Sequence, residues 1–334
     1  MFFPKQIDTV DTHTEGEPTR IITNWTEEIP GADTAEKMEY FKEHFDHIRT
    51  SLIMEPRGCK DMYGCLLTKP SDDKSDFGVI FMDNLGYMSM CGHATIGLST
   101  ALAEMGLVKV SKPFTRIVLE PPAGKVEAKV FMNNGRAESV SFVNAPAFVE
   151  FLDKDLEVPG KGTIKVDVVF GGNYFVFFKA EDLKIEVCPE NIEQVIDVSL
   201  LVMKAANDQF SISHPTLSNN KTINIATIMA PPKNPKADYM NVHVFSRRQY
   251  DRSPGGTATC ARMAALHAQG RFRVGDELWV ESLTGGLFRG RILGETKVGK
   301  KAAVIPEITG SAFITGYHQF VFHSDDHLKQ GFLF

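Results

Sequence analysis

The chain is poor in the features that mark membrane, nucleic-acid-binding or disulfide-built proteins. Only five of its 334 residues are cysteine and two are tryptophan. Cys59, Cys65, Cys91, Cys188 and Cys260 are odd in number and scattered, with no CxxC pair, which argues against a disulfide framework and against a zinc site. A reducing cytoplasm is the compartment this usage implies. No run of 18 apolar residues occurs, so no membrane-spanning helix is expected. The opening Met1-Phe2-Phe3-Pro4-Lys5 lacks the long apolar core of a signal peptide. Basic charge is not in excess: 36 Lys and Arg stand against 42 Asp and Glu, a net charge of −6, which excludes an electrostatic nucleic-acid binder. There is no Gly-rich dinucleotide fingerprint, which disfavours a dehydrogenase, and no low-complexity tract.

What is present suits two domains with sizeable cores: 334 residues, 43% of them hydrophobic. Residues 34–48 carry Met38, Phe41, Phe45 and Ile48 at three- and four-residue spacing, which predicts an amphipathic helix; residues 190–206, with Ile192, Val195, Ile196 and Met203, read the same way. Strand-like runs at 126–131 and 139–143 flank Asn133-Asn134-Gly135, a hairpin signal. Pro231-Pro232-Lys233-Asn234-Pro235 reads as a loop.

The most informative feature is an internal repeat. Residues 91–106 recur as residues 255–270, with identities at 92, 94, 95, 101, 102 and 106; six of sixteen agree, where ordinary residue usage gives roughly one. The register continues past the helix: Val118-Leu119-Glu120 before Gly124 is echoed by Leu278-Trp279-Val280-Glu281 before Gly285-Gly286. Two similar halves facing each other across a cleft are expected. Ala145-Pro146 marks a boundary, giving a first half over 1–145 and a second over 146–304, with residues from about 305 to 334 packing back on the first.

The repeat is asymmetric where chemistry is concerned, because Cys91 corresponds to Gly255. Small residues followed by good helix formers set Cys91 at a helix N-terminus, where unpaired N–H groups and the positive dipole end favour a thiolate. The same N–H groups suit a carboxylate, and two such helix starts suit one carboxylate held between them. On position alone Cys91 reads equally as a small buried residue. Cys260 lies more than a turn into its helix, roughly 7 Å deeper, and is expected in the core. Trp25 and Trp279 are also read as core residues.

Met90-Cys91-Gly92-His93 and Asp251-Arg252-Ser253-Pro254, followed by Gly256-Thr257, resemble the two signature motifs of the proline racemase family. So do the stretches from Asp11 to Pro18, Glu55-Pro56-Arg57-Gly58, Asp61-Met62-Tyr63-Gly64, Gly171-Gly172-Asn173 and Ile314-Thr315-Gly316, which carry the resemblance over nearly the whole chain. The resemblance implies an α/β (α+β) architecture of the diaminopimelate-epimerase-like kind. That is two pseudo-symmetric halves, each a strand barrel around a central helix, with no cofactor and no metal. It implies a small imino-acid substrate and, with common oligomer usage, a homodimer. It assigns substrate binding to Gly92, His93, Asp251, Gly255, Gly256 and Thr257, with Asp251 on the ring ammonium and His93 near a ring hydroxyl. Capping for His93, a solvated turn for Asp251 and plain turn chemistry for the glycines are the alternatives. His214, in Ser213-His214-Pro215, is equally readable as a binding or a packing residue, while His13 and Glu15 are expected to brace loops. Cys59 stands where family members usually have His.

Gly255 departs from the racemase and epimerase pattern, which has a second Cys there. Those reactions need one thiolate to remove the α-proton and a thiol on the opposite face to return one. The family's dehydratases resemble this chain in keeping only the first Cys, although they typically have Thr at the second place. The expected activity is therefore dehydration of trans-3-hydroxy-L-proline to Δ1-pyrroline-2-carboxylate. Proline racemase or 4-hydroxyproline epimerase activity is the first alternative, and an inactive imino-acid binder the second.

Overall fold

The computed structural model describes residues 3–216 and 221–334. The chain divides into two compact units, Met1–Phe142 with Gly310–Phe334, and Val143–Thr309. In the first unit the strand order is Ala312–Val321, Gln6–Thr14, Glu17–Ile22, Tyr63–Thr68, Phe77–Asp83, Thr115–Glu120, Val126–Asn133 and Arg136–Val143. In the second it is Phe148–Val158, Gly162–Phe170, Tyr174–Lys179, Ile225–Ala230, Tyr239–Phe245, Glu277–Glu281, Leu287–Val298 and Lys301–Gly310. Both orders run antiparallel twice, parallel, antiparallel, parallel, then antiparallel twice. The first unit takes its first strand from the far end of the chain.

A parallel pair needs a crossover, and each crossover here carries a helix. In the first unit these are α1 (Thr34–Ile53) and α2 (Gly92–Glu104). In the second they are α3 (Ile192–Gln209) and α4 (Gly256–Ala268). The helix expected over 34–48 runs on to Ile53, and its start is fixed by Asp33, whose carboxylate accepts from the Glu36 N–H at 2.9 Å. The hairpin expected around 133–135 forms, with Asn133 paired to Arg136 across the turn.

In the first unit, α2 is buried along its whole length from Gly92 to Ala103 and touches strands from both ends of the order, so the sheet wraps around it. In the second unit α4 is likewise buried from Ala258 to Leu266. The two helices end alike. Gly106 and Gly270 adopt φ of +70° and +71°, and the following N–H groups of Leu107 and Arg271 reach back to the carbonyls of Leu102 and Leu266. This is a Schellman close, which requires a left-handed residue and so explains the repeated glycine.

Trp25 packs with Phe41 and Phe45 on the first unit's core. Trp279 does not join a core: it is half-buried, with the Lys236 ammonium 3.5 Å from its ring centroid and Arg289 at 6.0 Å. The Glu277–Glu281 strand presents one face outward at that position, and two cations cover the ring.

Candidate active site

The start of α2 is built by the strands it packs on. Cys91 is the N-cap, in extended conformation at φ −140°, and is 7% exposed. Its side chain makes no capping hydrogen bond; Sγ lies 3.6 Å from both ring nitrogens of His93. The His93 ring is buried, with Tyr63 edge-on at 4.4 Å, and its carbonyl accepts from Thr14 Oγ1 at 2.8 Å. The Cys91 carbonyl accepts from both the N–H and the hydroxyl of Thr95, at 3.0 and 2.7 Å. A thiol is thus held at a helix start beside an imidazole able to exchange a proton with it.

The start of α4 is made differently. Gly255 is the N-cap at φ +76°, a region L side chains rarely adopt. Its carbonyl accepts from the N–H and hydroxyl of Thr259, at 2.9 and 2.8 Å, repeating the Thr95 arrangement. The preceding loop is shaped by Asp251, whose Oδ1 accepts from the Ser253 N–H at 2.7 Å, and by Ser253 Oγ, which accepts from the Gly255 N–H at 3.2 Å. Asp251 is buried, Gly256 is buried, and Thr257 is half-buried.

His214 is buried. It packs edge-on against Phe148 at 5.3 Å and Phe170 at 4.5 Å, and its Nδ1 accepts from the Thr216 N–H at 3.2 Å. Burial chiefly lowers its pKa from the ordinary histidine value, with Lys301 adding to the effect and Glu150 opposing it. Cys260 is fully buried, and desolvation pushes its thiol up to about 12. His13 takes the role expected of a brace: Nδ1 accepts from the Gly16 N–H at 3.1 Å and the ring stacks on Phe313. Arg57 bonds Asp326 at 3.0 Å and lies over Phe322, so that motif serves packing. Cys59 is exposed, and its carbonyl accepts from Asn84 Nδ2.

One buried group escaped the sequence reading. His243 sits in the Tyr239–Phe245 strand, with Nδ1 2.9 Å from Thr227 Oγ1 and Nε2 2.8 Å from the Pro254 carbonyl. The carbonyl can only accept, so Nε2 carries the proton and the threonine hydroxyl donates to Nδ1. Desolvation lowers His243 to about 4, against the raising effect of the Pro254 bond. The available signal was a histidine between Val242 and Val244 in a largely apolar strand.

The family model described as proline racemase matches residues 9–333. The chain belongs to the proline racemase family. It is 43% identical over 333 residues to a proline racemase of Clostridioides difficile, covering 100% of this chain and 99% of that protein. It is 38% identical to a trans-3-hydroxy-L-proline dehydratase of Azospirillum brasilense, with the same coverage. Among solved structures, a hydroxyproline epimerase from Agrobacterium vitis with bound trans-4-hydroxy-L-proline superposes with a TM-score of 0.87 at 28% identity, covering 100% of this chain and 97% of that one. The two-unit α/β fold expected of a proline racemase relative is the fold found, and no helix among the described residues is long and apolar enough to cross a membrane.

Proposed function

We propose that the chain is a hydro-lyase converting trans-3-hydroxy-L-proline to Δ1-pyrroline-2-carboxylate, with Cys91 as its working thiol. The observation that carries this reading is the contrast between two matched helix starts: Cys91 with His93 against its sulfur at α2, and a side-chain-free Gly255 at α4. Isomerisation by two bases needs a proton donor on each face of Cα. Dehydration of the trans isomer needs one, because the 3-hydroxyl and the α-hydrogen share a face. The Cys91 thiolate takes the α-proton, which leaves electron density that the substrate carboxylate absorbs. The C3–O bond then breaks while the same thiol gives its proton to the departing hydroxyl. Water leaves, and the C2=C3 enamine tautomerises to the Δ1 imine. A positioned acid–base group contributes about 10²–10⁴-fold, and N–H donors on the carboxylate supply part of the rest.

In this reading His93 exchanges protons with Cys91 and contacts the 3-hydroxyl, and Asp251 binds the ring ammonium. Gly92, Gly256 and Thr257 are binding positions, and the aromatic surroundings of His214 favour packing for it. The test is product formation from trans-3-hydroxy-L-proline, with Cys91→Ser expected to abolish it. Asp251→Asn should raise KM roughly 10–100-fold, the scale of one charged hydrogen bond.

The 43% identity to a proline racemase favours isomerisation as the second reading. It calls for α-proton exchange with inversion when L-proline is incubated in D2O. That result, with no dehydration product, would replace the lyase reading.

A further inference from the structure

The repeat gives each helix start a counterpart strand. In the first unit Phe77 and Gly78 pair with Leu119 and Glu120, and Phe81 pairs with Met88. In the second unit Tyr239 and Met240 pair with Val280 and Glu281, and His243 pairs with Asp251. The register therefore equates His243 with Phe81, just as it equates Gly255 with Cys91. Two residues that differ between the units, one on a strand and one at the helix start twelve residues later, meet at one place. A Cβ built on Gly255 falls 2.3 Å from His243 Nε2 and 2.4 Å from Cδ2. No real Cβ approaches that closely.

The imidazole cannot step aside cheaply. Both nitrogens are bonded, to Thr227 and to the Pro254 carbonyl. The ring is 1% exposed, so swinging away leaves buried polar atoms unpaired. The bond to Pro254 also holds the carbonyl immediately before Gly255, and Gly255 takes φ +76° where Cys91 takes −140°. The ring fills the volume and fixes the backbone.

We propose that His243 and Gly255 are a coupled pair in which the imidazole occupies the space of a side chain at 255 and so keeps this unit's helix start closed to a second thiol. The pair determines the reaction type: this rests on the one-thiol reading above and makes His243 a positioning residue for it. Restoring a cysteine at 255 then requires removing the imidazole as well.

The test is a double-variant cycle of Gly255→Cys, His243→Ala and the two together in the full chain. Gly255→Cys alone is expected to lower Tm by roughly 5–10 °C. In the His243→Ala background the same change should cost roughly 3 °C or less. Equal Tm losses in both backgrounds would overturn the pair. Should Gly255→Cys alone yield no soluble protein, a soluble double variant supports the proposal and an insoluble one overturns it. The functional readout is α-proton exchange of L-proline in D2O. The folded double variant is expected to gain exchange with inversion at least ~10-fold above wild type, lost again on Cys91→Ser, while Gly255→Cys alone gains none. A folded double variant without that gain overturns the proposal. A wild-type chain that fails to dehydrate trans-3-hydroxy-L-proline while the Tm coupling holds and the double variant gains exchange counts against the lyase reading and leaves the pair standing.

Discussion

Cys91 Sγ sits equally far from the two nitrogens of His93, 3.6 Å in each case, so neither nitrogen is singled out as its partner. Either nitrogen then serves as proton partner after a small ring rotation, which suits a group that must accept a proton and give it back. Replacing His93 with Asn keeps a hydrogen-bonding side chain but removes a titrating one. It is expected to lower kcat for dehydration roughly 10²-fold, measured by product formation at saturating substrate. His243 makes the opposite use of an imidazole. Its folded value near 4 lies below the ordinary 6.5, so the unfolded chain binds a proton there between those values and the folded chain does not. Stability from this site is complete above about pH 6.5 and is lost as pH falls toward 4. Asp251, its partner across the strand pair, is the carboxylate set opposite it, and burial still dominates. Denaturant titrations should show wild type losing about 2 kcal/mol more than His243→Ala between pH 7 and pH 5. Cys91 was legible in the sequence because a repeat exposed its position and its missing counterpart. His243 was not, because its meaning depends on a strand register that brings it under a loop ending at Gly255.

Among the elements, the two buried helices carry the same construction at both ends. Thr95 and Thr259 each hold the carbonyl of their N-cap residue with N–H and hydroxyl together, and Gly106 and Gly270 each close the last turn. The repeat survived in sequence at these positions because a helix walled in on every side leaves them little choice. Thr95→Val and Thr259→Val remove only the hydroxyl bond from near-isosteric side chains, so each is expected to cost about 1 kcal/mol, seen as a Tm drop of roughly 2–4 °C. Thr95→Val should also reduce dehydration, since the hydroxyl it removes anchors the Cys91 backbone, whereas the hydroxyl removed in Thr259→Val anchors Gly255. The strands repeat less visibly. Glu120 and Glu281 are both buried and both brace a loop, through Ser71 in one unit and the Lys233 and Asn234 N–H groups in the other, and the loops keep only Pro70/Pro232, Lys74/Lys236 and Asp76/Asp238 in common. α1 was legible from its apolar spacing, while its last turn was not, because Leu52 and Ile53 pack on a core assembled from distant strands. Trp279 was misread as core because composition does not say which face of a strand meets solvent.

For the whole molecule the decisive fact is that two units with one strand order are threaded unequally. The second unit, Val143–Thr309, is a continuous stretch that supplies its own eight strands. The first borrows Ala312–Val321, which pairs along the whole of Gln6–Thr14 and touches α2. The same tail sends Phe320 and Phe322 onto the first unit's core, pairs Asp326 with Arg57 and bridges Phe332 to Glu55. Ending the chain at Gly310 would strip all of this from the unit that carries Cys91 and would expose the Gln6–Thr14 edge, a row of unpaired backbone groups prone to association. The Val143–Thr309 unit would keep every strand pairing named above for it. The truncated chain is therefore expected to retain a cooperative unfolding transition from Val143–Thr309 in calorimetry, to lose that of the first unit, and to lose dehydration of trans-3-hydroxy-L-proline altogether. A truncated chain that keeps the full melting enthalpy and its activity would show that the terminal strand is dispensable and that Gln6–Thr14 stands as an edge on its own.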